Sequence, residues 1–138
     1  MGVKTTGKFY YDGAAVNVAV GTPLVFATSK TCGSVNLAPD DSTVRITHPG
    51  LYRVTANVNF IATAAGTASV ALYANGSTVA GANGGETLAA VGDSGNVSFS
   101  TLLTVLPTVP GTIAELQLVN TGLATSITVA NLIVEKVA

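Results

Sequence analysis

The segment that decides the fold is residues 50–60, GLYRVTANVNF. Tyr52, Val54, Ala56, Val58 and Phe60 recur at every second position, and Arg53, Thr55, Asn57 and Asn59 fill the places between. Successive strand side chains point to opposite faces, so this alternation marks a half-buried antiparallel strand. A helix would scatter the same residues around its circumference. The β-branched runs TVRIT (43–47) and SITVANLIVE (126–135) carry the same preference.

Turn residues punctuate the chain on either side of this strand. Pro39-Asp40-Asp41 precedes TVRIT, and His48-Pro49-Gly50 separates it from the long strand. Further turns are expected at Ala65-Gly66-Thr67, Asn75-Gly76, Asn83-Gly84-Gly85, Asp93-Ser94-Gly95, Pro107 to Gly111, and Asn120-Thr121-Gly122. Asn75-Gly76 is the strongest of these, because both residues tolerate positive φ. The pattern predicts eight to ten strands, no helix, and an all-β sandwich or barrel. No period of 20–50 residues repeats, which argues against a solenoid or propeller. Residues 1–13 differ in composition and are expected to form an N-terminal arm or edge strand. A single domain is expected over 14–138.

The 138 residues include 6 Lys and Arg and 7 Asp and Glu, where an average domain of this length carries roughly 35 charged residues. Hydrophobic residues make up 48%, which excludes disorder driven by charge. A net charge of −1 leaves no electrostatic footprint for nucleic acid. No apolar stretch is long enough to cross a bilayer as a helix. The opening MGVKTTGKFYYDG has no apolar core, so a secretory signal is not expected there. Cys32 is the only cysteine, which precludes an internal disulfide, and it reads as a partly buried small hydrophobe.

Two strands look apolar on both faces. In SITVANLIVE, Ile127, Val129 and Ile133 point one way, and Ala130, Leu132 and Val134 the other. In NVSFSTLLTVL (96–106), Val97, Phe99, Leu103 and Val105 oppose Leu102 and Leu106. A lone sandwich needs one apolar face per strand. The second face, taken with the charge deficit, predicts that part of the surface is an interface between copies.

Chemistry is not visible. His48, the single histidine, sits in a turn beside Pro49, where a solvated role is expected rather than a catalytic one. No GxSxG or HExxH occurs. Asp40 and Asp41 are explained by their turn, and Asp40, Asp41 and Asp93 match no calcium-loop spacing. GANGG (81–85) leads into no helix and so makes no phosphate loop. No enzyme activity, cofactor or metal is expected.

With the strands laid out, the chain resembles the TNF-like jelly-roll superfamily, which includes the globular heads of complement and collagen-like proteins. GTPLVFAT (21–28) reads like the family's first strand. NLAPDDSTVRITHPGLYRVTANVNF (36–60) resembles its central segment, with Pro-Gly-Leu-Tyr at 49–52. VALYANGSTVAGA (70–82), LQLVNTG (116–122) and ITVANLIVEKV (127–137) are similar to later strands. The resemblance runs from about Val16 to Ala138. It implies a homotrimer about an axis lined by aromatic and aliphatic side chains. Tyr52, Phe60, Tyr73, Phe99 and Leu118 are the candidates for that axis or for the protomer core.

The Ala-, Thr- and Gly-rich composition is similar to phage and bacterial versions of the family. The resemblance therefore implies a structural virion protein of a bacteriophage: a trimeric head-decoration or short fibre protein docking on the major capsid protein or other virion proteins. No nucleic acid or membrane partner is expected. Lys4, Lys8, Phe9, Tyr10 and Tyr11 are the candidates for an anchoring arm. The alternative is a receptor- or glycan-binding tip of a phage tail fibre or a bacterial spore-surface protein, using loops 63–67, 76–85 and 107–112.

Overall fold

The computed structural model describes residues 5–33, 35–105 and 114–137. Lys4, Leu106, the turn expected at Pro107 to Gly111, the loop 107–112 and the Cys32 side chain lie outside the described residues.

Ten strands and no helix appear among the described residues: β1 (Thr6–Val18), β2 (Thr28–Cys32), β3 (Val35–Leu37), β4 (Val44–Ile46), β5 (Gly50–Ala62), β6 (Gly66–Ala74), β7 (Ser77–Leu88), β8 (Ser94–Val105), β9 (Ala114–Asn120) and β10 (Thr125–Lys136). They form two five-stranded sheets, ordered β2-β1-β10-β5-β8 and β3-β4-β9-β6-β7. The pairings within both are antiparallel. From β4 onward the chain crosses between sheets at every connection except the β6–β7 hairpin. This is the winding of a jelly roll.

β5 is built as its alternation requires. Tyr52, Val54, Ala56, Val58, Phe60 and Ala62 are buried, and the residues between them face outward. They meet Val70, Leu72, Leu116 and Leu118 of the second sheet in one core. Full burial of each large side chain contributes roughly 1.5–3 kcal/mol. The Tyr52 hydroxyl enters the core with its partner already supplied, donating to the His48 carbonyl at 2.9 Å.

Asn75 (φ 52°) and Gly76 (φ 83°) close the β6–β7 hairpin in the left-handed pair that a two-residue loop demands. The turn expected at Asn83-Gly84-Gly85 is instead strand, inside β7. The glycines mark close approach, not reversal: a Cβ on Gly84 would lie 2.7 Å from Val97, and one on Gly85 would lie 3.1 Å from the Ala68 carbonyl.

Three further expectations change. Residues 21–27, read as a first strand, run as a connection in which Pro23 bridges Val119 while Leu24 and Phe26 plug the core. The first strand is β1, and it continues unbroken across the boundary expected at residue 13. It is no free arm: Thr6–Tyr10 sit between β2 and β10, and only the part beyond Tyr10 lacks a β2 neighbour. In β10, a bulge between Ile127 and Val129 shifts the phase. Ile127 is therefore buried on the same side as Ala130, Leu132 and Val134, and Ile133 is left outside.

Candidate interaction face

The outward face of the first sheet is assembled by register. Its rows read Lys8–Ile133–Thr55–Ser100, Tyr10–Asn131–Asn57–Ser98, Asp12–Val129–Asn59–Asn96 and Asn17–Ser126–Ile61–Ser94. Across β10, β5 and β8 these four rows hold no charged side chain. Charge returns at the margins, in Lys8, Asp12 and Lys30 on the β1–β2 side and in the Arg53–Glu135 pair at one end.

The centre of this face is a knot of amides and hydroxyls. The Asn96 side-chain amide donates to the Asn57 side-chain oxygen at 2.6 Å, to that of Asn59, and to the Val58 carbonyl at 3.3 Å. The Ser98 hydroxyl donates to the side-chain oxygens of Asn57 at 3.2 Å and Asn96 at 2.9 Å. Thr55 and Ser100 hydroxyls meet at 3.3 Å. The Asn96 amide group and the side-chain oxygens of Asn57 and Asn59 already bond one another, so covering these atoms costs less desolvation than covering free ones would. Ile61, Leu102 (55% exposed) and Ile133 stand around the knot as exposed aliphatic groups. Lys8 lies over the Tyr10 ring, 5.0 Å from its centre, which shields part of that charge.

The second sheet's outward face carries its own Arg–Glu pair, Arg45–Glu115, at the end beside the β6–β7 turn, at 3.5 Å with side chains 40% and 46% exposed. The Arg45 Nε is shielded from water but its N–H is not aligned on the carboxylate, so this is an ion pair without a hydrogen bond. A pair this exposed contributes little stability. Beside it, Gln117 donates to the Thr43 hydroxyl at 3.0 Å.

The residues singled out from sequence fall in several places. Tyr52, Phe60 and Leu118 are enclosed in the protomer's own core, where they pack rather than face a neighbour. Phe99 is half-buried and packs inward against that core. Tyr73 pairs with Gln117 in the outward row of the second sheet. None of the five lies on the face described above. Of the residues assigned to an anchoring arm, Phe9 is fully buried and Tyr11 points inward, its hydroxyl donating to the Ala14 carbonyl. Lys8 and Tyr10 point outward. The residues that compose the face, Asn57, Asn59, Asn96, Asn131, Leu102 and Ile133, were not singled out. The available signal was the uncharged polar row opposite the apolar positions of β5.

Loop chemistry is local. Asp40 accepts the backbone N–H groups of Ser42 and Thr43, each at 3.0 Å, and the Thr43 hydroxyl at 2.8 Å. The Ser42 N–H, foremost among these, holds its carboxyl below the usual aspartate range. Burial pushes the Tyr52 phenol up. His48 is exposed on its turn. No group of three or more His, Cys, Asp or Glu among the described residues is arranged to hold a metal ion.

No family model matches the sequence, and no curated protein sequence matches it. Solved structures do match. Eiger TNF from S. frugiperda is 13% identical, with 99% of this chain and 94% of that chain covered at a TM-score of 0.76. The globular domain of zebrafish complement 1qA is 10% identical, with 96% and 95% covered at 0.68. PRD1 vertex protein P5 is 17% identical, with all of both chains covered at 0.55. The similarity extends over β1, beyond the Val16 start expected from sequence. At these identities the likeness is one of architecture, and by it the chain has the TNF-like jelly-roll fold.

Proposed function

We propose that the chain is a homotrimeric structural protein of a bacteriophage virion, a head-decoration or short fibre protein that docks on the capsid surface. The observation that carries this reading is the outward face of β10, β5 and β8, whose four central rows hold no charge, with Ile61 and Ile133 exposed among them and Leu102 exposed beside the marginal Arg53–Glu135 pair. Such a face is suited to cover by sister copies around a shared axis. Likeness to a phage vertex protein over all of both chains supports a virion setting. Function then follows from shape: three identical outer surfaces meet a symmetric lattice at once, so weak single contacts add up to firm attachment. The lattice partner is the major capsid protein or another virion protein, and the site of action is the virion surface.

Native mass spectrometry tests the assembly. The expected species is three times 13.7 kDa. Ile133→Asp with Leu102→Asp is expected to give a folded monomer. A monomeric wild-type protein at micromolar concentration would falsify the reading. Absence of the chain from gradient-purified phage particles would remove the virion assignment while leaving the assembly.

One observation favours a receptor- or glycan-binding tip instead. An open cleft of about 760 Å³ at the seam of β7 and β8 gathers Asn59, Glu86, Ser94, Asn96 and Thr128. Such polar groups suit the hydroxyls of a sugar. Saturable binding of a host cell-wall glycan, lost in Glu86→Gln, would favour this reading over decoration.

A further inference from the structure

On the side of the sandwich away from β8, the two sheets splay. β1 beyond Tyr10 has no β2 neighbour, and the connection 22–27 swings across to β9 before returning to β2. The gap between them is a cavity of about 240 Å³. Its walls are Tyr11, Val16 and Val18 of β1, Leu24 and Val25 of the connection, and Ile127 of β10. Leu24, Val18 and Ile127 are buried at its floor, and Val16 and Val25 stand at its mouth, 41% and 48% exposed.

Two features hold the cavity open. The register of β1 against β10 shifts between Asp12 and Val16, so residues 13–15 arch away from the sheet. The Tyr11 hydroxyl spans that arch to the Ala14 carbonyl, which fixes the ring as a wall. That bond also occupies the tyrosine's only donor.

We propose that this cavity is a binding site for a small, uncharged, apolar molecule of about the size of one substituted aromatic ring. Size and lining both select the ligand. An apolar cavity of ~150 Å³ in another protein accepts benzene, so 240 Å³ accommodates a somewhat larger molecule. None of the lining residues is charged. A charged ligand would lose its hydration without a counter-ion, whereas an apolar one loses only unfavourable water contact. The site takes no lining residue from the outward rows on β10, β5 and β8 and meets them only through Asn17 of β1, which bonds Ser126, so its ligand is tested separately from the trimer.

Toluene is the probe and benzoate its charged counterpart. Methyl-resolved NMR on the full chain reads the site through Val16, Val18, Leu24, Val25 and Ile127. Toluene is expected to shift these methyls saturably. Benzoate is expected to bind at least tenfold more weakly. Val16→Phe fills the cavity from its mouth and is expected to abolish the toluene shifts. Ala27→Trp caps the rim from a second exposed position and guards against misfolding of the first variant. Unsaturable shifts, shifts centred elsewhere, equal benzoate binding, or toluene binding that survives both substitutions would overturn the assignment. So would methyl shifts that follow protein concentration without ligand, because a second copy would then fill the cavity.

Discussion

Gly95→Ala tests the packing that joins the interaction face to the core. Gly95 of β8 pairs directly with Phe60 of β5, and the phenyl ring covers it. A Cβ added there would lie 2.6 Å from Phe60 Cε2, 2.9 Å from Cζ and 2.8 Å from Glu86 Oε2. Carbon atoms rest at about 3.5–4.0 Å, so the overlap with the ring is close to 1 Å. Phe60 is only 2% exposed, so its ring can yield only by shifting out of its packed position in the core. Glu86 is more flexible, but moving it breaks its 2.6 Å acceptance of the Asn96 backbone N–H. Overpacking of this kind costs about 1–3 kcal/mol. At about 4 °C per kcal/mol for a chain of this length, the melting temperature should fall by roughly 4–12 °C. Differential scanning calorimetry and urea titration read the loss. Gly13→Ala is the control, because its added Cβ meets nothing closer than 3.5 Å. It should change stability by less than about 0.5 kcal/mol. Phe60→Leu removes the opposing ring, so the double variant should recover at least about 1 kcal/mol of the summed cost. A Gly95→Ala protein as stable as wild type, or a double variant with strictly additive losses, would refute the placement of the ring.

Three other substitutions probe separate elements. Tyr52→Phe removes the hydrogen bond to the His48 carbonyl and should cost about 1 kcal/mol at neutral pH, measured by urea unfolding. Because burial raises the Tyr52 pKa, its neutral-form contribution is fully present below the ordinary tyrosine value and fades as pH rises toward and through the folded one; the variant should lose less stability there than wild type. Asp40 is shifted down, so its contribution is present above the ordinary aspartate value and lost as pH falls through the folded one; Asp40→Asn should flatten the acid limb of the pH–stability curve. Gly76→Ala forces a Cβ into φ 83° and should destabilise by about 1–2 kcal/mol by calorimetry, though no atom lies within 4 Å of the added group.

The legible parts of the fold are those where one strand carries its own pattern. Tyr52 to Phe60 alternate without interruption, so β5 and its buried face follow from eleven residues. Asn75-Gly76 likewise states its turn locally. β1 and β7 read less plainly as strands, because their periods are broken by Gly13 in the arch, by Gly81 with its left-handed φ of 77°, and by Gly84 and Gly85 where neighbouring atoms press close. The β10 bulge hides a phase change that only pairing with β5 reveals. The interaction face is harder still. Asn57 and Asn96 are 39 residues apart, and each alone resembles ordinary solvated surface. The scarcity of charge predicts an interface, and the strand register supplies the candidate for its place.

How the sheets end bears on how copies meet. An unpaired strand edge invites another strand to add to it. Here the outer strands of three edges are short or defended. β2 spans 5 residues and β3 only 3. β2 also sets Lys30 directly opposite Lys8, which places like charges beside any strand that would extend the sheet. At the β8 edge, Glu86 lies in the inward row of β7 with Ala82 and Leu88, and its carboxylate takes the Asn96 N–H that an incoming strand would need. Edge-to-edge growth is thereby discouraged at these three edges. The outward face of β10, β5 and β8 has no such defence: its charges sit at the margins, and Asn57, Asn59 and Asn96 bond one another at its centre. A chain arranged in this way favours face-packed assembly over open strand addition at these edges.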